Sequence, residues 1–311
     1  MMNTESSAKI FAQKPAQNLS RFHYSQIHMG VRVDITLYAE SEQQAINAAK
    51  SAFARFDELD ATMSDYRADS ELKKFCLSGY DNFIKLSEDL FTVLNFSQTL
   101  AMETNGAFDI TCGNLVKLWR EARNKNSLPN EKQIKIGKTT SGYQNLILDD
   151  KSKSAKLKLR NMQIDLGGIA KGYACEQAMR ELKKNNIKSA MIQAGGDIVV
   201  SNPPPNEKGW KISIFESNSQ PLVLDNCAIS TSGDAEQYIE INGKRYSHIL
   251  DPRTGLGLTS RIQVTVISQN GMISDALATA LCIMGEQDSN LLLSKYNAKA
   301  IFTQMEKEKK Q

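Results

Sequence analysis

The chain has 311 residues, 41% of them hydrophobic and 23% charged, the make-up of an ordinary globular protein long enough to bury a core. Its net charge of +3 is spread over both signs and implies no nucleic-acid partner. Five cysteines, Cys76, Cys112, Cys175, Cys227 and Cys282, form no C-x-x-C pair, so neither a zinc site nor a disulfide framework is suggested and reduced thiols are expected.

Residues 1–20 are polar, without periodicity and without an apolar run long enough for a signal-peptide core. No segment approaches the ~20 apolar residues of a membrane span. The chain as given is expected to be soluble, with a polar tail over 1–20, one domain over 21–305 and a solvated tail over 306–311.

From Val31 the chain alternates: Val31, Val33, Ile35 and Leu37 on one side, Arg32, Asp34, Thr36 and Tyr38 on the other. That predicts a half-buried strand. His23 and His28, near its edge, read as structural. Ser41 to Gln44 has the form of a capping box ahead of an amphipathic helix carrying Ile46, Ala49, Phe53, Phe56 and Leu59. Ser87 opens another helix, which Asn105-Gly106 closes. Leu146 to Leu148 and Leu157 to Leu159 flank a polar turn and predict a hairpin. Lys151, Lys153, Lys156, Lys158 and Arg160 are spaced as one solvated strand face. A helix through Ala174, Ala178 and Leu182 fades at Asn185-Asn186. Ala190 to Val200 reads as a strand interrupted by Gly195-Gly196, and Pro203 to Pro205 force a loop. Asn242-Gly243 between strand-like runs signals a type I′ hairpin. Ile262, Val264 and Val266 alternate as a strand, and Ala276 to Met284 is apolar nearly all round, a buried helix. Strands arriving mostly in hairpins point to an α+β fold of antiparallel sheets with packed helices.

Five segments carry candidate chemistry. Asp165-Leu166-Gly167-Gly168-Ile169-Ala170-Lys171-Gly172 enters a helix, where free N–H groups and the dipole favour phosphate and Lys171 adds a charge. A tight strand-to-helix turn accounts for the same residues equally well. Asp275 and Thr279 are i and i+4, on one face of an otherwise apolar helix. Together they offer hard oxygens suited to Mg²⁺, or a capping carboxylate and a hydroxyl bonded back to the backbone. Thr231-Ser232-Gly233-Asp234 and the run from His248 to Gly255 are brought close by the hairpin. There His248 is suited to proton transfer and Arg253 to a phosphate, although Asp251-Pro252 and Thr254-Gly255 also make a plain structured turn. In Gly106-Ala107-Phe108-Asp109-Ile110-Thr111, Phe108 could pack on a ring and Asp109 accept from a ribose or amine, or both could be structural. Met63-Ser64-Asp65-Tyr66-Arg67 is polar, follows a helix, and fits a capped loop.

Taken together and in this order, the segments resemble the FAD:protein FMN transferase family, ApbE-like proteins formerly described as thiamine-biosynthesis lipoproteins. The matching runs are Met29-Gly30, Met63 to Tyr66, Gly106 to Thr111, Asp165 to Gly172, Ala194 to Asp197, Thr231 to Asp234, His248 to Gly255 and Asp275 to Thr279. Val31 stands where the family usually has Thr, and Asn114 where it often has Pro. The resemblance implies a T-fold-like architecture and FAD as substrate, with Mg²⁺ on its pyrophosphate. The metal would be held by Asp275, Thr279 and a backbone carbonyl, placed at Ala170. FAD contacts fall to Met29, Ser64 and Tyr66, to Phe108, Asp109 and Asp165, to Lys171 and Gly172, and to Thr231, Ser232 and Arg253.

The reaction so implied is attack by a Ser or Thr hydroxyl of a target protein on the FMN phosphorus, with AMP leaving. His248 would accept the proton, with Asp251 orienting it. The partner would be a protein with a Ser/Thr-rich motif, a subunit of a membrane redox complex. Family members are usually periplasmic and lipid-anchored. An FAD pyrophosphatase using water in the same site and a non-catalytic flavin-binding protein are the alternative readings.

Overall fold

Met29 and Gly30, at φ 49° and 75°, fold two strands back on each other, β1 (Ser20–His28) and β2 (Val31–Ala39). Both angles are left-handed, as a two-residue hairpin turn matched to strand twist requires. A computed structural model describes residues 19–214, 220–233 and 237–304. Residues 1–18 and 305–311, nearly all of the two expected tails, and Asp234 lie outside the described residues.

After β2 come α1 (Glu42–Met63), α2 (Glu71–Ser78), β3 (Ile84–Lys85), α3 (Glu88–Glu103), α4 (Gly113–Lys125) and α5 (Glu131–Thr139). The middle of the chain forms β4 (Leu146–Asp149), β5 (Ser154–Leu157), α6 (Ala170–Lys184), β6 (Ala190–Ala194), β7 (Asp197–Val200), β8 (Trp210–Ile212) and β9 (Leu222–Leu224). The last third forms β10 (Cys227–Gly233), β11 (Tyr238–Ile241), β12 (Lys244–Ser247), β13 (Leu250–Asp251) and β14 (Leu256–Gly257), then β15 (Ile262–Ser268), α7 (Gly271–Met284), α8 (Asn290–Lys295) and β16 (Lys299–Gln304).

Seven strands make the main sheet in the order β1-β2-β6-β7-β10-β15-β16, every neighbour antiparallel. The α+β, antiparallel reading of the sequence is the observed one. Strand alternation sends Val33, Ile35 and Leu37, with Ile192, Val264 and Val266, into one core beneath α1, α6 and α7. The opposite face is covered by the β8–β9 ribbon, where Trp210 and Ile212 cluster with Val200 and Ile229. A third cluster seats the β11–β12 hairpin on α4: Trp119 and Leu115 meet Ile239, Leu250 and Tyr246. There the Trp119 indole N–H donates to the Gly255 carbonyl at 2.9 Å. All five cysteines are free thiols. Among the described residues no helix is long and apolar enough to cross a membrane.

Three local expectations change. The box at Ser41 is not reciprocal: Ser41 caps the Gln44 N–H, but the Gln44 side chain accepts from Glu40, one residue further out. The second hairpin strand is Ser154–Leu157, earlier than expected, because Leu157 is the last residue paired with β4. Lys151 and Lys153 therefore lie in the turn and Lys158 and Arg160 beyond the strand, so the five basic residues form no single face. Asn114 uses what a proline lacks, its amide donating to Thr140 and to the Asn161 carbonyl. His28 is structural, stacked on Phe53 and bonded to Asp57 at 2.8 Å.

The tightest packing is where α6 crosses α7. A Cβ on Gly271 would stand 2.3 Å from the Gly172 carbonyl oxygen, and one on Gly172 would stand 2.1 Å from that of Gly271. Only hydrogen fits between these backbones. Gly271→Ala should therefore destabilise the fold by about 1–3 kcal/mol or more, read as a lower urea midpoint; an unchanged midpoint would mean that the helices separate at no cost.

Candidate active site

The α6–α7 crossing brings two distant segments into register. One helical turn into α7, the Asp275 carboxylate lies against the start of α6, and its Oδ2 accepts the Gly172 N–H at 2.9 Å. One turn further, Thr279 lies under the glycine loop, since a Cβ on Gly168 would meet its hydroxyl at 2.9 Å. Ala170 opens α6 beside Lys171 and Gly172, the two residues that touch Asp275. From β10, Ser232 reaches the Thr279 hydroxyl at 3.2 Å. Ala170, Lys171, Gly172, Ser232, Asp275 and Thr279, chosen from three separate segments, are thus one locus.

Its charges do not balance. The Lys171 ammonium is 3.1 Å from Asp197 and 3.8 Å from Asp275, and it donates to the Gly167 carbonyl at 3.2 Å. Both carboxylates are only 3% exposed. One half-buried cation therefore faces two buried anions. Burial alone would pull the ammonium down, but Asp197 and Asp275 hold it above its ordinary value. Burial, and then repulsion from Asp197, push the Asp275 carboxyl up to about 7, against the opposing pull of Lys171 and the Gly172 N–H. The Asp275 Oδ1 makes no hydrogen bond among the described residues. Asp197 was absent from the expected site residues, although it ends the matching Ala194-Gly195-Gly196-Asp197 run. The tight β6–β7 hairpin is what carries it to Lys171.

Thr231 does not join this locus. Strand alternation turns it to the opposite face from Ser232, where its hydroxyl meets that of Thr265 at 2.9 Å. The same end of the sheet carries the Met29-Gly30 turn, with Val31 packed beside Gly195.

A second cluster adjoins the first through Gly167, whose N–H donates to Asp165 while its carbonyl accepts from Lys171. Asp165 also accepts from Arg120 of α4 at 2.7 Å, and the same guanidinium bonds Asp65. Burial, then the neighbouring Asp65, raises the Asp165 carboxyl above its usual range despite Arg120. Arg120 lies 4.4 Å from the centre of the Tyr66 ring, which is 76% exposed. Tyr66 thus keeps one ring face on a cation while most of the side chain stays exposed. Arg120 was not foreseen: nothing in the run Leu115 to Lys125 separates it from a solvated helix arginine.

Several expected contacts are spent internally. Ser64 caps α1 and accepts from the Tyr66 and Arg67 amides. Phe108 is 4% exposed and packs in the main core, so it presents no ring face. Asp109 accepts from the Thr111 amide and hydroxyl and from the Tyr143 amide, a clamp on its own loop rather than an acceptor for a ribose. Burial still raises its carboxyl above the usual range. Arg253 is beside Gly106, but its Nε and one terminal nitrogen are committed to the two oxygens of Asp251 at 2.9 Å. Asp251 is therefore Arg253's partner and does not orient His248. The Gln237 backbone carbonyl does so, accepting from His248 Nδ1 at 3.0 Å.

The chain matches the ApbE family over residues 29–302. It is 31% identical to the FAD:protein FMN transferase of Vibrio cholerae serotype O1 over 289 residues, covering 88% of this chain and 84% of that protein. It is 30% identical to the Haemophilus influenzae protein of the same name, covering 86% and 79%. Among solved structures it is similar to the Pseudomonas stutzeri flavinyl transferase ApbE, with a TM-score of 0.82 and 25% identity over 95% of this chain and 94% of that one. The Vibrio cholerae flavin transferase ApbE aligns with a TM-score of 0.79 and 27% identity, over 91% and 93%.

The raised Asp275 carboxyl has a consequence for stability. A carboxyl whose pKa rises on folding contributes stability that is complete below its unfolded value and is lost as pH climbs through the folded one. In metal-free protein, the stability of the unmodified chain relative to Asp275→Asn should fall as pH climbs from about 4 to about 7. Urea denaturation across that range checks this. A flat difference would mean that Lys171 balances the Asp275 charge in full.

Proposed function

The chain belongs to the ApbE family, and from that membership we propose that this flavin transferase moves the FMN half of FAD onto a Ser or Thr hydroxyl of another protein, releasing AMP. The observation that carries the reading is the cluster of half-buried Lys171 with buried Asp197 and Asp275 beside the glycine loop at the head of α6. One ammonium against two carboxylates leaves an excess negative charge there. The Asp275 Oδ1 and the Thr279 hydroxyl are hard oxygens of the type that Mg²⁺ takes, with the Ala170 carbonyl as a third in the proposed set. Among the described residues no three His, Cys, Asp or Glu side chains gather as a metal cage, which suits an ion whose remaining ligands are phosphate oxygens and water. When bound, Mg²⁺ would neutralise pyrophosphate charge and ease departure of AMP.

The chain's own residues do the rest. Lys171, at the positive end of the α6 dipole, holds phosphate oxygens. Tyr66, braced by Arg120, offers a face to a ring of FAD. With Nδ1 donating to Gln237, the neutral His248 ring has Nε2 as its acceptor nitrogen, suited to take the proton of the incoming hydroxyl. The proposed acceptor is a subunit of a membrane redox complex bearing an exposed Ser/Thr-rich segment.

The decisive test is incubation with FAD, Mg²⁺ and a candidate acceptor domain, beside a copy whose acceptor Thr is replaced by Val. In-gel flavin fluorescence on the first alone, with AMP released, is the expected result. Flavin on neither, with FMN and AMP accumulating, would make the chain an FAD pyrophosphatase instead. His248→Ala should slow transfer by ~10²–10⁴ while FAD affinity holds; parallel loss of FAD binding would assign His248 a structural role.

A further inference from the structure

Two open grooves stand out among the described residues. One, of about 620 Å³, runs between α1 and α6. Its charges are already matched, Arg55 with Glu58 and Lys184 with Glu181, so it has little to attract a partner. The other, of about 540 Å³, lies between α5 and the turn joining β13 to β14. Glu131, Ile134, Lys135, Lys138, Thr254 and Leu256 line it.

This second groove is built differently. Its floor is apolar: Ile134 packs towards Gly255 and the Trp119 cluster, and Leu256 is 46% exposed above it. Its two cations outnumber its one carboxylate, Glu131, which stands four residues before Lys135 on α5. Lys138 donates to the Arg253 carbonyl at 2.7 Å, Lys135 has no ion-pair partner, and neither meets a carboxylate among the described residues. An apolar floor beside two ammonium groups and a single carboxylate suits a segment carrying both an apolar and an acidic side chain.

Its position relates it to the chemistry. Leu256 pairs directly with Asp251 in the β13–β14 ribbon, and His248 lies three residues before Asp251. His248 sits in the bend just before the ribbon, and at about 3.3 Å per extended residue it is at most on the order of 10 Å from Asp251. A chain laid in the groove needs only three or four extended residues to present a hydroxyl to His248.

We propose that this groove is the docking surface for the acceptor protein, seating an extended acidic-apolar stretch a few residues from the hydroxyl that receives FMN. The inference rests on the transfer reading above. The Ile134–Leu256 floor takes the apolar side chain, and Lys135 and Lys138 take the carboxylate. The groove would thus set which hydroxyls are modified without touching FAD.

The test uses the full chain with FAD, Mg²⁺ and short Thr-bearing peptides that differ only in the pair placed a few residues from the Thr: Asp–Leu, Asn–Ser or Lys–Leu. The unmodified chain should show a KM for the Asp–Leu peptide about tenfold below that for Asn–Ser, at similar kcat. Lys135→Glu should erase that preference and turn it towards the Lys–Leu peptide. Leu256→Ser should raise the KM for Asp–Leu while leaving FAD affinity unchanged. Equal KM values for all three peptides, or a preference that survives both substitutions, would overturn the groove assignment while leaving transfer intact. Transfer to none of them, together with none to any protein acceptor, would remove the transfer reading and this inference with it.

Discussion

Where α6 crosses α7, Gly172 and Gly271 let one helix backbone rest on the other, and that closeness governs the side chains around it. With no Cβ at either residue, the Asp275 carboxylate reaches the Gly172 amide instead of solvent. Thr279 is carried one turn on, beneath Gly168. Larger residues at the crossing would separate the helices, and with them the carboxylate from the lysine. The two glycines therefore act through space made available.

That proximity creates an electrostatic problem that the protein does not solve by itself. Burying a carboxylate is costly unless a cation or hydrogen bonds compensate. Here a single ammonium is shared between Asp197 and Asp275, and the nearer partner, Asp197, takes more of it. Asp275 is left with its carboxyl raised to about 7. Such an arrangement is a poor choice for stability alone, and perturbed groups of this kind gather at functional sites. Its hard oxygens, its shared ammonium and the adjacent helix start are the features on which the proposed cation and phosphate site rests.

Around this centre the two flanking walls are assembled by cross-links from α4. Trp119 fixes the Gly255 turn and so the ribbon that carries Asp251 and follows the bend at His248. The next residue, Arg120, ties Asp65 to Asp165 and backs the Tyr66 ring. A single helix thereby sets both the ribbon expected to receive the acceptor and the exposed ring expected to receive the flavin. The internal clamps made by Ser64 and Asp109 hold the intervening loops, and their polar atoms are used up in doing so.

Much of this was legible in the residues alone. Period-two alternation over Val31 to Tyr38 and Ile262 to Val266, the Asn242-Gly243 turn and the apolar run of Ala276 to Met284 are local signals, and each gave its element because the physics behind it spans only a few residues. The i, i+4 spacing of Asp275 and Thr279 put them on one helix face for the same reason. What the chain order could not express was which separate segments meet. Asp197 pairs with Lys171 because β7 lies beside the α6–α7 crossing, and Arg120 with Asp165 because α4 packs against the loop before α6; neither partner is near in sequence. Thr231 and Ser232 look equivalent in a run of small hydroxyls, yet the pleat turns them to opposite faces. Asp251 looked like the orienter of His248 but is closed onto Arg253, because two-residue spacing in a tight turn lets that pair meet first. Local pattern determined the elements and the types of chemistry on offer; tertiary packing decided which charges were left unpaired, and hence where a ligand is needed.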